Sequence, residues 1–245
     1  VSPALIIVIV VGGLIVVAGL LIAMMIWLRK SYDTEEGAIL ERLHAEAPQR
    51  GWTFSERADA YTQVFNDLER HRKLSEPVVG FAGSPKALRA HDVVSGQHRG
   101  RTFVAARFHI SQPPDTRQGG GWSDTFAIWV STPAPAPTLD VRSVPRAQSV
   151  IGDSLGVGDL RIGHPEFDAR YQVTAENEQF ARAVLTPHLM DFMLGDGRDF
   201  RGFWIRGGQL EVLDTVSDHR DPAQLVPALD LRCDILDRVP SQAWA

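Results

Sequence analysis

The densest cluster of titratable residues in the chain is His164-Pro165-Glu166 with Asp168. An imidazole and two carboxylates this close could share acid–base work or hold a metal ion, provided that Asp153 or Asp159 converges on them. His164, Glu166 and Asp168 are therefore the candidate catalytic residues. A structural reading competes with the chemical one: Glu166-Phe167-Asp168 buries the phenyl ring and turns the chain. None of the eight histidines pairs at a metal-ligand spacing such as H-E-x-x-H or H-x-x-x-H. His98 and His109 fall on one expected hairpin, where opposed strands could bring them together. Asp153-Ser154 and Ser217-Asp218-His219 contain nucleophile-type residues, but neither is a G-x-S-x-G elbow. Gly152, Gly156 and Gly158 do not follow a phosphate-loop pattern, and Asp196-Gly197-Arg198-Asp199 lacks the length and terminal Glu of a calcium loop. No cofactor and no metal is expected from these motifs.

Composition narrows the classes further. The formal net charge is −5, which argues against general nucleic-acid binding. Charge is uneven, +2 over residues 1–150 and −7 over residues 151–245. A basic stretch, Arg70-His71-Arg72-Lys73, continues to Lys86, Arg89, Arg99 and Arg101. It reads as a solvated face or as a patch leaning on anionic headgroups. The single cysteine, Cys233, excludes an intrachain disulfide and a cysteine-based zinc cluster. It falls on the apolar stripe of an expected helix and should be a core residue.

The longest apolar run positions everything else. Ala4 to Leu28 carries no charged or strongly polar side chain. At ~1.5 Å per residue it would span about 37 Å, enough for a bilayer core about 30 Å thick. Sixteen of its positions are Leu, Ile or Val. It reads as an uncleaved transmembrane anchor over residues 1–30, because its flank lacks a basic n-region and its end, Met-Met-Ile-Trp-Leu, lacks a small-residue cleavage site. Arg29 and Lys30 abut its C-terminal end, so the positive-inside rule places the rest of the chain in the cytoplasm. Gly19-x-x-x-Ala23 is a small-residue pair that lets helices approach closely.

Behind the anchor, residues 31–90 read as a juxtamembrane helical segment and loop, and residues 91–245 as an α+β domain. Thr34 is expected to cap a short helix to Ala47, with Ile39, Leu40 and Leu43 on one face. Gly51–Phe54 reads as extended, Arg57–Glu69 as a helix, and Glu76–Ala90 as loop. Strands are expected at Asp92–Ser95 and Arg101–Ile110 around a Gly96–Gly100 turn, and at Thr125–Ser131 after a mobile loop, Ser111–Ser123. The Pro-Ala repeat after Thr132 forms a stiff crossover into Leu139–Val144, and a polyproline-reading partner could dock there. Further strands are expected at Asp159–Gly163 and Arg170–Thr174, then a helix starting at Thr174 or Ala175. Thr186-Pro187 caps a second helix ending at Gly195. Gly207-Gly208 joins strands Gly202–Arg206 and Gln209–Leu213 as a two-residue turn. Asp221-Pro222-Ala223-Gln224 resembles a capping box opening a helix that carries Val226, Leu229, Cys233 and Leu236.

The fold class expected is α+β: an N-terminal transmembrane helix followed by a mostly antiparallel sheet of about six or seven strands, with helices on one face. Two subdomains joined near Ser143–Gly158 are the alternative.

Several motifs together carry a family resemblance. After the apolar run come Arg50-Gly51-Trp52, Val93-Val94-Ser95-Gly96, Arg99-Gly100-Arg101 and Pro135-Ala136-Pro137 before Leu139-Asp140-Val141. Glu166-Phe167-Asp168, Tyr171-Gln172-Val173, Phe180-Ala181, Leu185-Thr186-Pro187, Val239-Pro240 and Trp244 follow. As a set they resemble a family of uncharacterised actinobacterial single-pass membrane proteins carrying a domain of unknown function. The resemblance implies a bacterial membrane protein and assigns no catalytic residue. Two functions are thus expected in competition. One is a membrane-anchored, non-catalytic interaction or accessory module, with the lipid bilayer as partner through residues 4–28 and a protein or anionic headgroups as further partner. The other is a small hydrolase or metal-dependent enzyme whose site forms only in three dimensions.

Overall fold

The computed structural model describes residues 3–75, 85–112, 121–143, 160–198 and 200–245, with side chains placed from residue 17 onward except at 28, 31–33 and 70–75. Helix α1 runs unbroken over Pro3–Glu46. Strand β1 is Thr53–Arg57, α2 is Tyr61–Ser75, and β2, β3 and β4 are Lys86–His98, Arg101–Gln112 and Gly121–Ser131. Strand β5 is Leu139–Ser143, α3 Pro165–Arg170, β6 Tyr171–Ala175, α4 Glu178–Val184 and α5 Pro187–Gly195. Strands β7 (Phe200–Arg206) and β8 (Gln209–Asp214) precede α6 (Pro222–Asp237).

The described strands form one antiparallel sheet of eight, in the order β1-β2-β3-β4-β8-β7-β5-β6. Alternation splits each strand between two faces. On one face Val94, Phe103, Ile128, Val130, Leu139, Val141, Phe203, Ile205 and Leu210 join a core with Leu43 of α1, Ala47 just after it, α4, α5 and α6. On the other, Ala90, Val93, Ala106, Phe108 and Trp129 pack under Phe65 of α2. Helices therefore cover both faces, not one. The sheet has more strands than expected because β1 joins its edge. The α+β class itself holds.

Other expectations need correction. Strand β2 begins at Lys86, so part of the expected loop Glu76–Ala90 is strand; Ala87 and Ala90 bury side chains that the local Pro and Gly residues obscured. The boundary at residue 90 consequently falls inside β2. Thr34 does not cap a helix: its hydroxyl donates to Lys30 O at 2.7 Å, within the unbroken α1. Residues 53–57 are strand, and α2 starts at Tyr61. Residues 160–163 are not strand, and Arg170 ends a helix instead of opening β6. Strands β5 and β6 pair from Leu139↔Ala175 to Ser143↔Tyr171, which places both sides of the Ser143–Gly158 joint in one sheet. The Ser111–Ser123 loop shortens, since Ser111 and Gln112 end β3 and residues 121–123 open β4; residues 113–120 lie outside the described residues.

Two of the expected caps and the Gly207-Gly208 turn agree between sequence and structure. Arg99 and Gly100 have φ of 49° and 77°, and His98 pairs Arg101, a two-residue turn narrower than the five residues expected. Gly207 and Gly208 (φ 53° and 81°) join Arg206↔Gln209 as expected. Thr186 caps α5 by accepting from Leu189 N, and Asp221 caps α6 by accepting from Ala223 N. Helix α4 starts at Glu178 behind its cap Asn177, not at Thr174 or Ala175, which belong to β6.

Among the described residues no helix is long and apolar enough to cross a membrane. The apolar part of α1 with placed side chains, residues 17–27, covers about 16 Å, roughly half a bilayer core. The transmembrane span expected at residues 4–28 is not shown by the described residues.

Candidate functional site

The expected catalytic residues are used to build a turn. His164 caps α3, its Nδ1 accepting from Phe167 N at 3.2 Å, while its Nε2 lies 3.6 Å from Asp191. Asp168 accepts from Ile162 N at 3.1 Å and Gly163 N at 2.9 Å. Glu166 is exposed in the first turn of α3, and Phe167 between them is fully buried. Asp153, Ser154, Asp159 and the glycines at 152, 156 and 158 lie outside the described residues. No group of three His, Cys, Asp or Glu among the described residues could hold a metal ion.

The other candidates also disperse. His98 and His109 sit at opposite ends of the β2–β3 hairpin, the first on Asp230 at 2.8 Å and the second on Asp124 at 2.8 Å. Ser217 donates to Gln224, Asp218 pairs with Arg220, and the buried His219 donates from Nε2 to Asp92 O at 2.7 Å. Three neighbours in sequence thus face three different partners. Burial holds the His219 imidazole below its ordinary pKa, with the Asp92 carbonyl opposing the shift. Cys233 is buried, as expected, and burial pushes its thiol up.

A different constellation forms on the α2 face. The register places Trp129, Glu211, Trp204 and Asp140 in one row across β4, β8, β7 and β5. Side chains two residues along, Gln209 and Arg206, form the next row on the same face. With Phe65, Leu68 and Glu69 of α2, Trp129, Glu211, Trp204, Gln209 and Arg206 line a recess of about 320 Å³, its open mouth included, and Asp140 lies beside it in the row. Trp129 Nε1 donates to Glu211 Oε2 at 3.1 Å. Burial nevertheless dominates, and the Glu211 carboxyl is pushed up to about 7.

Arg206 is 3% exposed; its guanidinium stacks 4.2 Å above the Trp204 ring and Nη2 donates to Asp140 at 3.1 Å. Burial pulls its pKa down and the Asp140 carboxylate opposes that. Arg142 also pairs with Asp140 and lies 5.5 Å from the Trp204 ring. Two buried N–H groups lining this region, Trp204 Nε1 and Arg206 Nε, have no hydrogen-bond partner among the described residues. A carboxyl near neutrality can donate or accept, so the recess combines a proton-exchanging group with two idle donors. That set suits an oxygen acceptor on a small ligand or a partner's side chain.

The chain was also compared with known proteins. No protein-family model matches it, and no curated protein matches its sequence. Among solved structures it is similar to the mycobacterial trehalose monomycolate transport factor A, TtfA. The TM-score is 0.44 at 16% identity, covering 82% of this chain and 96% of that one. So loose a likeness says nothing of what this chain binds or does. No family model supports the motif resemblance to actinobacterial membrane proteins.

Sequence reasoning missed the recess. The alternation Gln209-Leu210-Glu211-Val212 did mark one polar face of β8. That this face meets two tryptophans and α2 follows from register alone.

Proposed function

We propose that this protein is a membrane-anchored, non-catalytic interaction module, held to the bilayer by residues 4–28 with its folded domain on the cytoplasmic side. The observation that carries this reading is the continuity of α1. Val17, Leu20, Leu21, Ile22, Met24, Met25, Ile26 and Trp27 are all at least 51% exposed on a helix that begins at Pro3 and ends inside the core. Exposed apolar surface of that extent calls for an apolar surrounding. At the other end Leu43 is fully buried, Arg42 pairs with Asp221 at 3.0 Å, and Arg220 pairs with Glu36 at 2.7 Å. The same helix therefore forms both the apolar run and part of the fold. No swivel separates them, so the domain turns with the helix.

Interaction rather than turnover is supported by where the polar chemistry lies. Trp204 and Arg206 of β7 bring two idle donors to a recess with an open mouth.

Fractionation tests the anchor: the full chain is expected in the membrane fraction and residues 31–245 in the supernatant. Retention of the truncated chain would refute it. For orientation, an impermeant thiol reagent should reach Glu56→Cys only after cells are broken. Purified chain that hydrolyses generic ester or phosphate substrates, with loss on His164→Ala, would overturn the non-catalytic reading.

A further inference from the structure

Two contacts fix the level of α1 against the sheet. Trp52 N donates to Ala47 O at 2.7 Å and its indole donates to Gln97 O at 3.1 Å, which sets the end of α1 level with Gln97 and its pair Thr102. Arg220 Nη1 lies 2.7 Å from Glu36 and 3.8 Å from Asp92, and Asp92 lies 3.7 Å from Arg107, which sets Glu36 level with Arg107. From Ala47 to Glu36 the helix rises about 16 Å, and from Thr102 to Arg107 strand β3 rises about 17 Å. The lengths agree, so α1 runs alongside the strands. Beyond Arg107, β3 continues to Ser111, about 14 Å further, which corresponds to about nine helical residues. That level on α1 is Trp27.

Ser111 pairs with Lys86 and with Trp122. The far edge of β2–β3–β4 therefore stands level with the end of the apolar run. Its side chains suit a bilayer interface. Trp122 is 64% exposed and its ring stacks on His109 with centroids 5.4 Å apart; Leu88 is 42% exposed. Lys86 and Arg89 are exposed and form no ion pair among the described residues. At the opposite end of the hairpin the arginines are already used: Arg99 bonds Asp234 at 2.8 Å and Arg101 bonds Asp237 at 2.7 Å, both on α6.

We propose that this edge, formed by Lys86, Leu88, Arg89, His109 and Trp122, rests on the anionic headgroup layer of the bilayer that α1 enters. The proposal rests on the membrane-anchored reading above. Amphipathic indole rings settle at headgroup depth, and Lys and Arg are drawn to anionic lipid. A helix and a sheet edge on one surface fix the tilt of the domain, which a single helix leaves free.

The test uses the full chain with one surface cysteine at a time, Ile22→Cys, Trp122→Cys or Gln97→Cys; native Cys233 is buried and does not compete for label. Each carries an environment-sensitive fluorophore and is reconstituted into phosphatidylcholine vesicles with or without phosphatidylglycerol. Spin-labelled lipids quench at shallow or deep positions. The expected result is loss of emission at residue 22 with deep quencher and at residue 122 with shallow quencher, and none at residue 97. Loss at 122 should fall when phosphatidylglycerol is omitted or when Lys86→Glu and Arg89→Glu are combined. Quenching at 22 with 122 no different from 97 would overturn the edge contact and leave the anchor standing. No quenching at 22 would overturn the anchor reading, and the edge contact with it. Equal quenching at 122 with and without phosphatidylglycerol would overturn the anionic preference.

Discussion

Replacing Glu211 by Gln tests the electrostatics of the recess directly. The Glu211 carboxyl is pushed from 4.5 to about 7, chiefly by burial, with the Trp129 indole and the Arg232 and Arg206 charges opposing. The folded state thus holds a proton that the unfolded chain releases near pH 4.5. Stability from this group is fully present below the unfolded pKa and is lost as pH rises through about 7. At ~1.4 kcal/mol per unit, and allowing for screening of a half-buried group, the loss between pH 5 and 8 is about 2 kcal/mol. Gln keeps the acceptor for Trp129 and cannot ionise. Urea unfolding of the full chain in mild detergent, followed by tryptophan emission, should show the E211Q chain losing about 2 kcal/mol less than the native chain over this range. Parallel pH profiles for the two chains would refute the protonated carboxyl.

Other substitutions probe the frame around it. Strands β4 and β8 pair only from Trp129↔Glu211 to Ser131↔Gln209, and the buried Arg232 fills the gap where they part, donating to Ile128 O at 2.9 Å and Val212 O at 3.3 Å and pairing with Asp214. Arg232→Met strands those acceptors and should cost about 3–5 kcal/mol in the same unfolding assay. Gly202 has φ 131° at a bulge in β7, and a Cβ there would overlap the Val141 carbonyl oxygen. Gly202→Ala should cost more than about 2 kcal/mol, read as a lowered Tm. Cys233, fully buried, should react with a thiol reagent only as fast as the chain unfolds, and rapid labelling of native protein would contradict its place in the core.

Local signals carried much of the fold. Turns written in Gly207-Gly208, the Thr186-Pro187 cap, the Asp221 cap and the alternation of β3, β4, β7 and β8 are set by interactions within a few residues, so they were legible. Features decided by distant contacts were not. Lys86–Ala90 reads as broken by nearby Pro and Gly, yet it is strand because Ala87 and Ala90 pack against Phe65 and its neighbours. Arg232 interrupts an apolar stripe and would pass for a surface residue, but the parted strands supply carbonyls that only a long cation can reach. The cluster at His164 looks chemical because three titratable groups lie within five residues; in the fold His164 and Asp168 satisfy backbone donors of a tight turn and Glu166 is exposed.

The apolar run Ala4–Leu28, the α+β class, the turn chemistry and the burial of Cys233 and Phe167 can be read from the amino acids alone. Each follows from periodicity or from side chains reaching their own backbone. Three further facts required the folded chain: α1 is one rod reaching from that run into the core, helices flank both sides of the sheet, and Glu211 meets two tryptophans and an arginine. Those juxtapositions depend on strand order and register. Trp129 and Glu211, and likewise Asp140 and Trp204, are far apart along the chain and become neighbours through the hydrogen bonds that align their strands.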